Sequence, residues 1–256
     1  MDHRGIHYDY PNPFAASSGR EAPKGSSFMY MSKDIRHYLL KPKQGKKVIT
    51  LDWCSQEPAS LAALAGDIEL WNAYQNGDLY TELRNRSKLF SNLSRQQFKV
   101  LCISHLYGCT SHGIVKKFYV PLTVATAWWA ELRQIFLKVN IYLDTKVAEA
   151  RKQGYAEVYG FHRTVDAATK SSSIRNFYVQ AVCARMLRLL CLKLDQLQIP
   201  LLFAIHDSIG FEAGIEDMNT QPLAASAMAD ISESVLGSGY RLLSECEHEV
   251  STPIKN

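Results

Sequence analysis

Apolar and polar positions divide the chain into short blocks whose period changes repeatedly. Lys46-Lys47-Val48-Ile49-Thr50-Leu51-Asp52-Trp53 is an apolar run closed by an acid, which predicts a buried strand. Glu57-Pro58 then opens a helix that Gly66 stops, because proline suits a first helical turn and glycine a C-terminal end. A short helix is expected from about Ile68 to Tyr74, and Ser94 reads as the N-cap of another running to about Leu106, stopped near Gly108. Pro121 starts a long periodic stretch through Trp128, Trp129, Ile135, Phe136 and Leu143 to Lys152, read as one helix that Gly154 ends. Residues 155–165 alternate around Gly160 as a hairpin would, and a further helix covers about Ser173 to Leu197, stopping before Pro200.

Leu201-Leu202-Phe203-Ala204-Ile205-His206-Asp207 is a second buried apolar run closed by an acid. Ser208-Ile209-Gly210-Phe211-Glu212 turns back as its partner, so Asp207 lies at a hairpin tip. A last helix spans about Thr220 to Leu236. The first ~30 residues are rich in Pro, Gly and Ser and are expected to be extended. Helices and strands mix without βαβ regularity or repeat, so the expected class is α+β.

Composition narrows this only slightly. The chain has 256 residues, 46% apolar and 21% charged, as an ordinary globular protein does. Its longest apolar runs fall short of the ~20 residues a membrane span needs, and the Met1 segment has no signal-peptide pattern. A net charge of +4 permits a polyanionic partner without pointing to one. The six cysteines form no CxxC pair and read as reduced thiols in a cytosolic core.

Two features carry candidate chemistry. Asp52 and Asp207 each close a buried apolar strand, where an unpaired carboxylate costs several kcal/mol or about that in desolvation. Singly, each is more simply a turn-forming acid; as a pair they suggest a shared cation, and hard oxygen ligands suit magnesium. The second feature is a stripe: Arg95, Lys99, Ile103 and Tyr107 recur every four residues and share a helix face. Such a face could grip a triphosphate at one end and a base at the other, although a solvated basic turn followed by core residues gives the same spacing.

A resemblance makes these features specific. Asp52-Trp53-Cys54-Ser55-Gln56-Glu57-Pro58-Ala59-Ser60-Leu61 and its continuation to Asp67 resembles motif A of the family A DNA polymerases. Arg95-x3-Lys99-x3-Ile103-x3-Tyr107-Gly108 looks like motif B, the fingers helix, and Ala204-Ile205-His206-Asp207-Ser208 looks like motif C. Ser18-Gly19-Arg20, Ile35-Arg36 and Asn176-x3-Gln180 resemble weaker landmarks of the same family. The likeness runs from about residue 18 to 213.

The resemblance implies a palm of antiparallel strands with flanking helices and a helical fingers region. The expected division is an extended N-terminal segment, 1–45, leading into the palm, 46–67 and 154–256 palm, and 68–153 fingers. It implies DNA-template-directed addition of deoxynucleotides to a primer 3′ end, with Asp52 and Asp207 holding two Mg2+ ions that Mn2+ can replace. Arg95 and Lys99 would clamp the dNTP triphosphate, Tyr107 and Ile103 would border the base pair and sugar, and Glu57 would select the sugar. Tyr80 stands where a phosphate-contacting histidine is frequent. Arg20, Asn176, Gln180 and His206 would meet the DNA primer-template.

Four residues depart from the family pattern. Ser208 replaces the acid that usually follows the motif C aspartate, and His-Asp-Ser is the pattern of single-subunit RNA polymerases. Ile103 replaces an aromatic residue, Ala59 an arginine and Tyr80 a histidine. The alternatives are therefore an RNA polymerase or primase-like enzyme, opposed by Glu57, and a catalytically dead nucleic-acid-binding subunit. Motif A begins only about 50 residues into the chain, so no thumb or exonuclease domain is expected. A minimal or split polymerase follows, with a separate protein supplying thumb or processivity, no membrane association, and a cytoplasmic bacterial, phage or mobile-element setting.

Overall fold

Strand β1, Lys46–Trp53, is the centre of the sheet because it is apolar on both faces: Val48, Ile49, Leu51 and Trp53 are all buried. A strand so buried needs a neighbour on each edge to satisfy its backbone. The chain, seen in a computed structural model, is described for residues 12, 15–21 and 30–252, the side chains of Lys33 and His37 excepted. Residues 1–11, 13–14 and 22–29 of the segment expected to be extended lie outside the described residues. Contacts divide the chain into two compact units, 1–54 with 183–256 and 55–182.

The first unit holds an antiparallel sheet. Strands β4, Leu201–Ile205, and β5, Ser208–Gly214, form the expected hairpin, and β5 pairs with β1 from Lys46 opposite Gly214 to Asp52 opposite Ser208. On the other edge of β1 runs β6, Ser244–Ser251, giving the order β4-β5-β1-β6. The hydrophobic pattern does not announce β6. Its Ser-Glu-Cys-Glu-His-Glu-Val-Ser sequence has no buried face, and its charges suit an exposed edge. A bulge between Thr50 and Leu51 shifts its register on β1. Gly210 is required where it stands, since a Cβ there would lie 2.1 Å from the Phe203 ring on the neighbouring strand. Helix α10, Thr220–Leu236, packs on β1 and β6, and the Trp53 indole donates to the Met228 carbonyl at 3.3 Å. A seven-residue helix, α1, Lys33–Leu39, replaces part of the extended segment expected before residue 45.

The second unit is helical. Helices α2, Gln56–Leu64, α3, Ile68–Gln75, and α5, Arg95–Leu106, stand close to the positions the sequence gives them. A reciprocal capping box between Ser94 and Gln97 starts α5. Two short helices, α4, Leu79–Asn85, and α6, Ser111–Phe118, were not expected from the pattern. At seven and eight residues neither is long enough to show a period. The single long helix expected from Pro121 to Lys152 is two helices: α7, Leu122–Ile135, and α8, Leu137–Gln153, broken at Phe136. No glycine or proline marks that break. Phe136 is fully buried and stacks on His105, so packing against α5 sets the change of direction. Strands β2, Tyr155–Val158, and β3, Phe161–Thr164, make the expected small hairpin. Helix α9, Ser171–Gln196, follows and carries the chain from the second unit back into the first. Among the described residues no helix is long and apolar enough to cross a membrane. The class is α+β, as expected.

Candidate active site

The acids come first, because the sheet register decides their relation. His206 and Asp207 are the two-residue turn between β4 and β5, with Ile205 opposite Ser208. The Asp207 carbonyl accepts a hydrogen bond from the Trp53 N–H at 3.1 Å, one residue beyond Asp52. Two aspartates 155 positions apart in the chain thus stand at one end of one sheet. Opposed residues of an antiparallel ladder share a face. Ser208 on β5, Asp52 on β1 and Glu245 on β6 therefore form a row across three strands.

The row holds one residue that pattern reading missed. Glu245 lies in a charged, exposed segment with no apolar run to flag it, and only the pairing of β6 with β1 sets it opposite Asp52. Its field is felt at Cys54, whose thiol is pushed up to about 11, first by burial and then by the carboxylates of Glu245 and Asp52. Ser208, where the family pattern has an acid, buries its hydroxyl with no hydrogen-bond partner among the described residues. Asp52 Oδ1 is shielded from solvent.

These donors can be tested against a divalent metal. Among the described residues no group of three or more His, Cys, Asp or Glu is placed to hold an ion by protein ligands alone. Magnesium seldom uses such a cage; it takes one or two carboxylates and completes its shell with water and substrate phosphate. Asp52 and Asp207, hard oxygen donors at one sheet end, fit that habit.

Beside the acids lies a basic group in the same unit. Burial, followed by the positive charges of Arg20 and Arg36, lowers the affinity of His206 for a proton, while Asp207 opposes the shift. His206 also has a left-handed backbone, φ 58°, imposed by the tight turn. Arg188 Nη2 and Nε donate to the Gly19 carbonyl at 2.7 and 3.2 Å. That bond fixes the segment bearing Arg20, and Arg188 is a second residue the sequence did not single out.

The second unit carries the cationic stripe. Arg95 and Lys99 lie one turn apart on α5, and each cationic head sits 5.7 Å from the centroid of the Tyr80 ring. Arg95 donates through Nε and Nη2 to both carboxylate oxygens of Asp78, at 2.9 and 2.5 Å. Tyr80 is only 1% exposed, and burial raises the pKa of its hydroxyl, which hydrogen-bonds Ser55. Its ring is thus a floor under two cations. Ile103 is half-buried on the same helix, and Tyr107, the residue capping its C-terminus, donates its hydroxyl to the Glu57 carboxylate. The structure thereby brings together Glu57, Tyr80, Arg95, Lys99 and Tyr107, drawn from three helices.

A buried network fixes the far end of α5. Arg175 donates to the Leu106 carbonyl at 3.4 Å, to Asn140 Oδ1 at 2.7 Å and to Asp144. Asn140 in turn meets His105 Nε2 at 3.1 Å. Gly108, φ 81°, lets the chain pass close to Ser172, which a Cβ would approach to 3.1 Å. Asn176 and Gln180 follow one turn apart on α9, both half-buried, and Asn176 Oδ1 is buried without a hydrogen-bond partner among the described residues.

Known proteins share this arrangement of chain and fold. The family described as DNA polymerase family A matches residues 27–237. The thermostable DNA polymerase I of Thermus aquaticus is 27% identical over 228 residues, covering 81% of this chain and 27% of the relative. DNA polymerase I of Bacillus subtilis strain 168 is 22% identical over 209 residues, covering 73% of this chain and 24% of the relative. The chain spans about a quarter of the length of these relatives. Among solved structures, the POL domain of Pol1 from M. smegmatis, in complex with DNA primer-template and dNTP, superposes with a TM-score of 0.79 at 17% identity. It covers 95% of this chain and 47% of that one, a likeness of fold. With its motifs in order and the match extending over most of its length, the chain belongs to DNA polymerase family A.

Proposed function

We propose that this chain adds deoxynucleotides to a primer 3′ end under the direction of a DNA template. The observation that carries this reading is the register setting Asp207 beside Asp52 at one end of the sheet. Two Mg2+ ions held by these carboxylates, with Mn2+ able to replace them, would supply Lewis acidity toward the 3′-hydroxyl and the triphosphate.

The chain's own groups do the remaining work. Arg95 and Lys99 bind the triphosphate, where fixed cations stabilise charge that grows in the transition state. Tyr107 and Ile103 border the new base pair and sugar. Glu57, held by the Tyr107 hydroxyl, fills the space a 2′-hydroxyl would need. His206, with its proton affinity lowered, supports the primer end as a neutral imidazole, and Arg20, Asn176 and Gln180 hold primer and template. In this reading residues 46–67 and 154–256 serve as palm and 68–153 as fingers, in a cytoplasmic setting. A separate protein supplies thumb or processivity function; long products from the chain alone would overturn that part.

Primer extension tests the activity. The unmodified chain should extend a primed DNA template in a magnesium-dependent way, and Asp207→Ala should lower the rate at least about a thousandfold while leaving duplex affinity within a few-fold. A chain that binds primer-template yet incorporates nothing would be a binding subunit. Ribonucleotide synthesis is the second reading, favoured by Ser208 in place of an acid, and a preference for NTPs over dNTPs in the same assay would establish it.

A further inference from the structure

We propose that Asp78 is a positioning residue for nucleotide addition: it holds the Arg95 guanidinium by its Nε–Nη2 edge above the Tyr80 ring and so aims that cation at the incoming triphosphate. This inference rests on the polymerase reading of Arg95 above. The geometry is explicit. Asp78 Oδ2 accepts from the Arg95 Nε–H at 2.9 Å and Oδ1 from Nη2 at 2.5 Å, a side-on fork that fixes the plane of the guanidinium. Tyr80 lies under the same group at 5.7 Å, which fixes its height.

Arg95 needs such restraint because of where it stands. It is the first residue of α5, next to the N-cap Ser94, where the helix dipole disfavours a cation. A long side chain in that position would extend into solvent and sample many rotamers, and ordering it on arrival of the nucleotide would weaken binding. Asp78 and Tyr80 impose the order beforehand. A guanidinium has five N–H donors in a fixed plane and the fork uses only two of them, so holding the group does not by itself compete with meeting a phosphate.

Asp78 is itself held. Its Oδ2 also accepts from the Thr81 N–H at 2.9 Å, capping α4, and Arg95 first, with Thr81, holds its carboxyl down to about 2. The carboxylate stays charged throughout any working pH range. Fold stability does not account for the pair, because half-exposed ion pairs of this kind add little. The role of Tyr80 changes with it: where the family pattern has a phosphate-contacting histidine, this chain puts a buried ring that touches the phosphate-binding cations instead.

Asp78→Asn separates aiming from capping, since asparagine caps a helix as well as aspartate does. In the full chain, with a primed template, the variant should raise KM for dNTP about tenfold while kcat changes less than about threefold, and a fluorescent dNTP titrated in the absence of turnover should weaken by the same factor. Arg95→Ala should weaken both measures further, and Asp78→Asn added to Arg95→Ala should have no additional effect. An unchanged or lowered KM and dissociation constant in Asp78→Asn, the sign expected of a latch that competes with nucleotide, would overturn the proposal, as would full additivity in the double variant. Failure of the polymerase reading is seen separately, as absence of incorporation by the unmodified chain, and the nucleotide titration still decides the role of Asp78.

Discussion

A single thiol reports on the acids of the sheet. Cys54 follows the end of β1 and feels burial, Glu245 and Asp52, all of which disfavour a second negative charge nearby. With its pKa pushed up to about 11, it should label slowly at pH 8 in the native protein. Glu245→Gln removes one of the two repelling charges, so the pKa falls and labelling at Cys54, followed by peptide mass mapping, should speed up severalfold. No change would mean that Glu245 stands too far from the row to act on it. The same residue shows the limit of pattern reading. Asp52 and Asp207 were visible because each ends an apolar run, whereas Glu245, Asp78 and Arg175 sit in polar surroundings that any solvated segment shares, and Arg188 is one cation on a long helix with no periodic partner to mark it.

Helix α5 has both ends secured by different means. Its N-terminus is closed by the Ser94–Gln97 box and was legible in the sequence, because capping is a local interaction between residues three apart. Its C-terminus is secured by His105, Asn140, Asp144 and Arg175, separated by up to 70 positions, and no local signal announces that. His105 is held down to about 4 by burial first, then by Arg175 and Arg133; the Asn140 contact and Asp144 pull the other way. Its folded pKa lies below the ordinary value of 6.5, so the unfolded chain takes up the proton more readily. The stability it contributes is complete above pH 6.5 and is lost as pH falls toward 4, amounting to on the order of 3 kcal/mol at most. Urea midpoints measured between pH 7 and pH 4 should fall steeply for the native sequence. His105→Gln, which keeps a partner for Asn140 and cannot titrate, should flatten that slope.

At the scale of the whole molecule, the chain leaves its sheet after Cys54, builds a helical unit and returns along α9 at Cys183. The sheet end gathers Asp52, Asp207 and Glu245, three carboxylates brought together by the pairing of β1 with its neighbours. A ligand that binds only the folded state raises its stability by mass action. Magnesium chloride should therefore raise the melting temperature of the native chain by a few degrees or about that, and Asp52→Asn with Asp207→Asn should abolish the response. A magnesium response that survives both substitutions would move the ion elsewhere.

What the amino-acid sequence determined by itself was local: the strands at 46–53 and 201–205, the helices α2 and α3, the N-cap of α5, the hairpin tip at Asp207 and the one-face stripe from Arg95 to Tyr107. Each depends on residues a few positions apart, so period and cap chemistry suffice to read it. Only the tertiary structure decided the break at Phe136, the pairing of the charged strand β6, the Glu57–Tyr107 contact and the holding of Arg95 by Asp78. Those depend on which distant segments meet. A polar residue carries the same local signal whether it faces water or a partner, and the difference arises only when the folded chain removes the water around it.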